Sequence, residues 1–379
     1  MLAAWHRRAY PHLTVGALAS SAPVDFYPGE GKQKQFWDAT LATFAEFGGR
    51  AGCDVDVQTA LDAVARLGQD VPGRAGLSDA FATCSPLETP LHVKQLLFYI
   101  RGAVATMAMA DYPEPTSFVT PMPAFPVAFA CGRWDAAAAS PQANLNALIN
   151  VFLNFTGVLP CHDTRAELLG ESAPCGFGSW SPLLRSPRAA AALSLRLGGD
   201  ALSPSGGLGD ISIPWQYQAC TQLILEPLTS DGFGFYPEDD SDVPSVEAAC
   251  SARFGVVSRP GWLPLSTGRG DVSSLSNVIF SDGEKDPWKV GSPPFFAAEA
   301  EQLSPTATAA AVSPPSSVLQ LLIPGAAHHE DLRASSGGDS PALCAARALE
   351  CRTIVGGWLG QGGAGARCDA RYACQTRVA

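Results

Sequence analysis

Hydrophobic residues near the start of the chain follow a helix-then-strand pattern. Residues 1–10 favour a helix, which Pro11 ends, and residues 14–20 form a run of small and apolar residues typical of a short buried strand. A helix that leads directly into a buried strand is half of a βαβ unit. The pattern therefore predicts an α/β fold, and we expect the strand and turn before this helix to be missing from the sequence.

The region from about Phe36 to Leu153 has a helical pattern instead. Its apolar residues recur at intervals of about three and four, as one face of a helix requires. The clearest groups are Leu41, Phe44 and Phe47; Leu61, Val64 and Leu67; Leu96 to Ile100; and the run from Asn144 to Asn154. Because this block lies between two strand-bearing regions, we predict that it is an inserted helical cap.

The last third of the chain returns to strands and helices. Two short apolar runs, residues 277–280 and 318–323, end in turn residues and predict strands. Ser340 and Pro341 suit the N-cap and the first turn of a helix. Residues 163–210 and 293–315 have weak periodicity and many Gly, Ser, Pro or Ala residues, so they predict long surface loops.

Composition narrows the class of protein. A chain of 379 residues with 46% hydrophobic residues can bury a large core and suits two domains, or one large fold with an insertion. The formal net charge of −11 leaves no basic footprint, so nucleic acid is excluded as an expected partner. No stretch of eighteen apolar residues free of charges and helix breakers occurs, so we expect no membrane span.

The cysteines indicate an oxidising compartment. There are 11 of them, unevenly spaced and without a C-x-x-C pair, which favours disulfides over zinc ligation or a redox site. The triplet that begins at Asn154 fits a glycosylation acceptor. The apolar stretch of Met1 to Trp5 is too short for a secretory signal, because His6 and two arginines follow it. We therefore expect that the sequence has lost its beginning.

Two residues stand where an α/β-hydrolase would place its catalytic acid and base. Asp286 and His328 each follow the end of a predicted strand, and reacting groups gather at that edge of an open α/β sheet. Their order matches the end of the Ser…Asp…His order of α/β-hydrolases. Position alone leaves the alternative that Asp286 is a turn residue and His328 a polar surface residue.

The nucleophile of such a site is not evident. No serine has glycine at both i−2 and i+2, so the G-x-S-x-G elbow does not occur. The nearest sequence, Gly76 to Ala80 around Ser78, lies among the predicted cap helices and not after a strand. None of the cysteines follows a strand at an equivalent turn.

Several motifs resemble the lysosomal Pro-X carboxypeptidase and dipeptidyl peptidase II family of serine peptidases. They occur in the family's order and cover the chain, with gaps, from Met1 to about Leu359. In that family the catalytic serine and two glycines directly precede a segment like the one that begins at Met1. The motifs are Met1 to Trp5, Tyr10 to His12, Gly16 to Pro23, Asp111 to Pro113, Pro121 to Pro126, Trp215 to Thr221, Ser276 to Trp288, and Gly325 to Arg333.

The resemblance implies roles for individual residues. Asp286 matches the catalytic acid and His328, the first of two adjacent histidines, matches the base; His329 would then support the packing. It also implies three disulfides, Cys53–Cys131, Cys84–Cys161 and Cys220–Cys250. The remaining cysteines are Cys175, Cys344, Cys351, Cys368 and Cys374. Seven residues apart on one predicted helix, Cys344 and Cys351 are too distant to pair with each other, so either could bridge to Cys368 or Cys374, or the tail thiols could be free.

Together these observations predict a partial α/β-hydrolase fold that lacks its N-terminal strands. We predict residues 1–23 to be the segment after the nucleophile elbow, 24–165 the cap, and 166–379 the C-terminal hydrolase part, with long loops at 166–210 and 289–316. No metal or organic cofactor is implied.

The function that follows is a fragment of a serine exopeptidase that cleaves next to proline, as a carboxypeptidase or a dipeptidyl peptidase, and is inactive by itself. Its partners would be peptides with proline near a terminus, and a homodimer stays open. The location would be a lysosome, a vacuole or the cell exterior. A non-catalytic α/β-hydrolase-like binding protein and a lipase- or esterase-type hydrolase stay open as alternatives.

Overall fold

A computed structural model describes most of the chain outside two long segments. The described residues are 1–26, 32–117, 120–164 except 136 and 138, 217–218, 220–221, 247, 250–251, 254–259, 261–293, 301–302, 318–361 and 368. The chain divides into two compact units. Unit 1 comprises Met1–Phe26, Asp111–Glu114 and Gly261–Ala379, and unit 2 comprises Tyr27–Ala110 and Pro115–Pro260.

The described residues contain both helices and strands. The strands are β1 (Ala17–Ser20), β2 (Val278–Gly283), β3 (Glu301–Gln302) and β4 (Val318–Ile323). The α-helices are α1 (Leu2–Ala9), α2 (Lys32–Phe47), α3 (Cys53–Leu67), α4 (Val71–Ala80), α5 (Pro90–Met109), α6 (Pro126–Cys131), α7 (Pro141–Leu153), α8 (Trp262–Thr267) and α9 (Pro341–Cys351). Short 3₁₀-helices span Pro287–Gly291 and Glu330–Leu332, and a π-helix spans Arg352–Trp358.

Unit 1 is built on a parallel sheet with the strand order β1-β2-β4-β3. Every residue of β2 is buried, as expected for a central strand with both faces covered. Helix α1 packs Ala4 against Val278 and Phe280 of β2. Helix α9 packs Leu343 against Ile323 of β4. The mixture of helices with a small parallel sheet agrees with the predicted α/β class.

The sequence predicted most of these elements but not all of their limits. Strand β4 has the predicted bounds, whereas β1 begins at Ala17, three residues later than its apolar run. Within the predicted long loop 289–316, the described residues include the short strand β3. Strand β3 has only two polar residues and no periodicity, and it forms by pairing with Leu321 and Leu322 at the edge of β4.

Unit 2 is helical in its described part. Its core includes Phe44, Leu61, Ile100 and Phe152, all fully or almost fully buried. Helix α5 begins at Pro90, well before the predicted apolar run, because the Thr89 hydroxyl caps it by accepting the His92 N–H at 3.3 Å. The predicted boundaries of a cap at 24 and 165 stay a prediction.

None of the helices in the described part is long and apolar enough to cross a membrane.

Candidate active site

Three loops of unit 1 converge because their strands are parallel neighbours. β1, β2 and β4 run in the same direction, so their carboxyl ends lie at one edge of the sheet. Ser21 follows β1, Asp286 follows β2 and His328 follows β4. The central position of β2 therefore places the acid between the serine on one side and the histidine on the other.

Asp286 and His328 form a direct hydrogen bond. His328 Nδ1 lies 2.7 Å from Asp286 Oδ2, and the two residues are 9% and 0% exposed. The other carboxylate oxygen, Oδ1, accepts the Trp288 N–H at 3.0 Å, at the start of the 3₁₀-helix that follows. The carboxylate of Asp286 thus engages Nδ1 of the His328 ring.

The surroundings of Asp286 keep it ionised. Burial by itself would raise the pKa of this carboxyl, but the charge of His328 and hydrogen bonds from His328, Ser21 and the Trp288 N–H together lower it below its usual value. Asp286 is therefore a carboxylate at neutral pH. A carboxylate in this place fixes the tautomer of the imidazole and stabilises its protonated form.

Ser21 links the three loops, and sequence reasoning missed it. Its hydroxyl oxygen accepts the backbone N–H of His329 at 3.0 Å, and its side chain is hydrogen-bonded to Asp286. Ser21 has a φ of 48°, an uncommon backbone conformation for a residue other than glycine. Its place directly after the predicted strand was the available signal.

His329 is half-buried beside His328 and is not the histidine that bonds Asp286. Its ring centroid lies 3.6 Å from that of His328, and Asp286 bonds the first histidine of the pair. Burial, and then the charge of His328, lower the pKa of His329 to about 3, so this imidazole stays neutral. The left-handed backbone at His329, with φ 53°, turns the chain into the 3₁₀-helix that follows.

The segment Asp111–Glu114 touches both loops. Lys285 Nζ, adjacent in sequence to the acid, lies 2.9 Å from Asp111 Oδ2 in an ion pair that is almost wholly buried. The Tyr112 hydroxyl donates to the His328 carbonyl at 2.8 Å. The Arg333 guanidinium lies 4.0 Å from the centre of the Tyr112 ring. The Asp-Tyr-Pro motif signalled this segment, but its sequence did not reveal these partners.

The structure also pairs the cysteines. Cys53–Cys131, Cys84–Cys161 and Cys220–Cys250 have Cα separations of 5.9, 5.0 and 5.3 Å, within the range of disulfides. A fourth bridge joins Cys351 to Cys368, one of the alternatives that the sequence left open. Cys175 and Cys374 lie outside the described residues, and so does most of the predicted loop 166–210.

The predicted glycosylation acceptor, Asn154, has two side-chain hydrogen bonds to one residue. The Asn154 side chain donates to the Leu159 carbonyl at 3.1 Å and accepts the Leu159 N–H at 2.9 Å. Its glycosylation stays a prediction. Within the described residues, no group of His, Cys, Asp and Glu side chains is arranged to hold a metal ion.

Comparison with known proteins shows which family this chain is similar to. The model of the family "Serine carboxypeptidase S28" matches residues 1–172. The chain is 31% identical over 360 residues to a "Lysosomal Pro-X carboxypeptidase" of Bos taurus, covering 93% of this chain and 60% of that protein. The human protein of the same name is 28% identical over 355 residues, with the same two coverages.

A relative of lower sequence identity is also named as a serine protease. The "Thymus-specific serine protease" of Mus musculus is 24% identical over 358 residues, covering 90% of this chain and 58% of that protein. The chain thus spans about 60% of the length of the curated relatives it matches best among these. The matches confirm the family resemblance of the motifs.

Proposed function

Because the chain is related to the serine carboxypeptidases of family S28, we propose that it carries the acid and the base of a serine exopeptidase that cleaves peptides next to proline. The observation that carries the proposal is the 2.7 Å hydrogen bond between Asp286 and His328 at the carboxyl edge of a parallel sheet. In this proposal residues 24–165 form a cap on an α/β-hydrolase fold.

The geometry supports separate roles for Asp286 and His328 in the reaction. Asp286 holds Nδ1 of His328, so Nε2 takes the proton of the attacking serine as the hydroxyl adds to the peptide carbonyl. The imidazolium, stabilised by the carboxylate, then returns this proton to the leaving amine. An acyl-enzyme remains, and water activated by the same imidazole clears it.

The nucleophile in this proposal is a serine of a longer form of the protein. The chain has no G-x-S-x-G sequence, and in the family that its motifs resemble, the serine precedes a segment like Met1 to Trp5. We therefore expect residues 1–379 alone to hydrolyse no peptide. The names of the lysosomal relatives support a lysosomal, vacuolar or secreted location for the protein.

The test is an assay of the native protein, captured from its source with an antibody raised against residues 1–379. We expect hydrolysis of peptides that end in Pro-X or begin with X-Pro, and covalent labelling by a fluorophosphonate. Blocking the carboxyl terminus of the peptide abolishes cleavage by a carboxypeptidase and not by a dipeptidyl peptidase. The in-frame genomic sequence upstream of Met1 should encode Gly-x-Ser-x-Gly.

The alternatives predict different results in the same assay. A non-catalytic binding protein takes no fluorophosphonate label and cleaves neither peptide. A lipase or esterase takes the label and hydrolyses nitrophenyl acyl esters while sparing both peptides. Either result contradicts the proposal. Purified residues 1–379 are the control, and turnover of a proline peptide by this chain would contradict the assignment of the serine.

A further inference from the structure

Asp331 ties the loop after His328 to the ends of two strands. Its Oδ1 accepts the hydroxyl of Ser20, the last residue of β1, at 2.6 Å. Its Oδ2 accepts the hydroxyl of Ser281, in β2, also at 2.6 Å. Hydroxyl-to-carboxylate bonds of this length are charge-assisted, and Asp331 is 7% exposed. Through these two bonds Asp331 holds the 3₁₀-helix Glu330–Leu332 against the sheet.

Glu350 meets Asp331 from the buried face of α9. It is 4% exposed and is hydrogen-bonded to Asp331 through its side chain. Its Oε1 has no hydrogen-bond partner within the part of the chain that the structure describes. Two carboxyl groups in contact need a proton between them. Since both oxygens of Asp331 already accept hydroxyls, Glu350 is the side chain that carries the proton and donates it.

The charges around the pair do not offset an ionised Glu350. Arg347, a cation that acts on Glu350, donates to the carbonyls of Glu330 and Asp331 and to the carboxylate of Asp339. The carboxyl of Asp282, at the end of β2, also faces Asp331. Burial, and after it the charge of Asp331, raise the pKa of Glu350 to about 9, with Arg347 opposing the shift.

We infer that Asp331 and Glu350 form a proton-sharing carboxyl pair that positions the His328 loop and confines the ordered site to acidic and neutral solution. When Glu350 loses its proton, two buried carboxylates repel each other beneath that loop. An effect of this repulsion on catalysis rests on the proposed function. The existence of the carboxyl pair does not depend on that function.

The direction of the pH dependence follows from the two states of Glu350. In the unfolded chain its pKa is the ordinary 4.5, and in the folded chain it is about 9. Its contribution to stability is therefore complete below pH 4.5 and is lost as the pH rises towards 9. Across this window the folded state holds one proton that the unfolded state has released, so the unfolding equilibrium constant rises by about tenfold per pH unit.

The first test compares the wild-type chain with Glu350→Gln by urea unfolding from pH 4 to 10. The amide keeps a donor for Asp331 but cannot ionise, so the unfolding equilibrium constant of the variant should rise less steeply than that of the wild type, by about tenfold per pH unit. An exposed glutamate, changed as Glu88→Gln, is the matched control and should keep the slope of the wild type. Equal pH dependence in the wild type and Glu350→Gln would overturn the inference.

The second test follows Glu350 and His328 directly by NMR. The carboxyl carbon of Glu350 in the wild type should titrate far above pH 4.5, and titration near that value overturns the pair without any variant. The Nδ1 proton of His328 should give a low-field resonance that disappears as the pH approaches about 9 and survives to higher pH in Glu350→Gln. Loss at the same pH in both proteins would overturn the positioning role. Neither NMR readout depends on peptide hydrolysis. Both can therefore be interpreted even if the proposed function proves wrong.

Discussion

The two units of the chain are stabilised in different ways. Unit 2 packs apolar helix faces and carries three disulfides among its described residues. The core of unit 1 beneath the candidate site contains ionisable side chains, each hydrogen-bonded or ion-paired: Asp282, Lys285, Asp286, Asp331 and Glu350. Burying such groups is unfavourable unless each has a partner, so unit 1 bears a cost that a purely structural core avoids.

The sharpest way to test this difference is to remove the charge of Asp286 while keeping its shape. In the catalytic form of the protein, Asp286→Asn should lower kcat by about 10⁴, because the amide no longer fixes the tautomer of His328. Steady-state kinetics on a Pro-X peptide measure it. His329→Ala is the matched control and should change KM or stability more than kcat. A larger loss of kcat in His329→Ala would move the base by one residue.

The covalent part of the comparison is tested by removing one bridge from each unit. The pair of substitutions Cys53→Ser and Cys131→Ser opens a loop of 78 residues, and Cys351→Ser with Cys368→Ser opens one of 17. In the chain-entropy model these cost about 4.5 and about 3 kcal/mol of unfolding free energy. Urea unfolding measures both losses. A greater loss from the shorter loop would contradict this account, and peptide mapping without reductant checks the four pairs.

The ionic part is tested at the pair of Lys285 and Asp111 in unit 1. Asp111→Ala leaves a buried ammonium without its partner and should lower the free energy of unfolding by about 4 kcal/mol. Asp111→Leu combined with Lys285→Met replaces both charges and should recover most of the loss. Urea titration of the three proteins measures this. If the double variant is as unstable as the single one, packing and not charge explains the effect.

The smallest expected effect concerns how the stability of each unit depends on pH. Burial lowers the pKa of His162 in unit 2 to about 4, so the unfolded chain takes up a proton below pH 6.5 that the folded one refuses. Stability therefore falls as the pH falls from 6.5 towards 4, opposite in direction to Glu350. His162→Gln should be less acid-sensitive by about 2 kcal/mol at pH 5.

Hydrogen exchange at the Cys84 amide, which donates to the His162 carbonyl, localises this effect to unit 2. Tyr99→Phe removes the hydroxyl 3.2 Å from His162 Nδ1 without removing the titrating ring, and it should keep the acid sensitivity. An acid sensitivity unchanged in His162→Gln would assign the effect to His329 in unit 1 instead.

Local sequence carried much of this architecture. An apolar run of six residues between turn residues determined β4. Ser340 and Pro341 determined where α9 begins, since the Ser340 hydroxyl accepts the Leu343 N–H at 3.1 Å. The same logic placed Asp286 and His328 just after strands. These features depend on contacts only a few residues apart, so the sequence pattern contains them.

Long-range contacts decided the rest. Only the strand order puts the ends of β2 and β4 side by side, and with them Asp286 beside His328, 42 residues later. Glu350 lies on the same buried helix face as Leu343 and Ala346, and this spacing can be read from the sequence. Its partner Asp331 lies on another element, so the sequence does not reveal their contact. The sequence by itself determined which residues stand at strand ends and helix caps. The tertiary structure alone decided which of them meet, because a hydrogen bond or a shared proton depends on distances in space that spacing along the chain does not define.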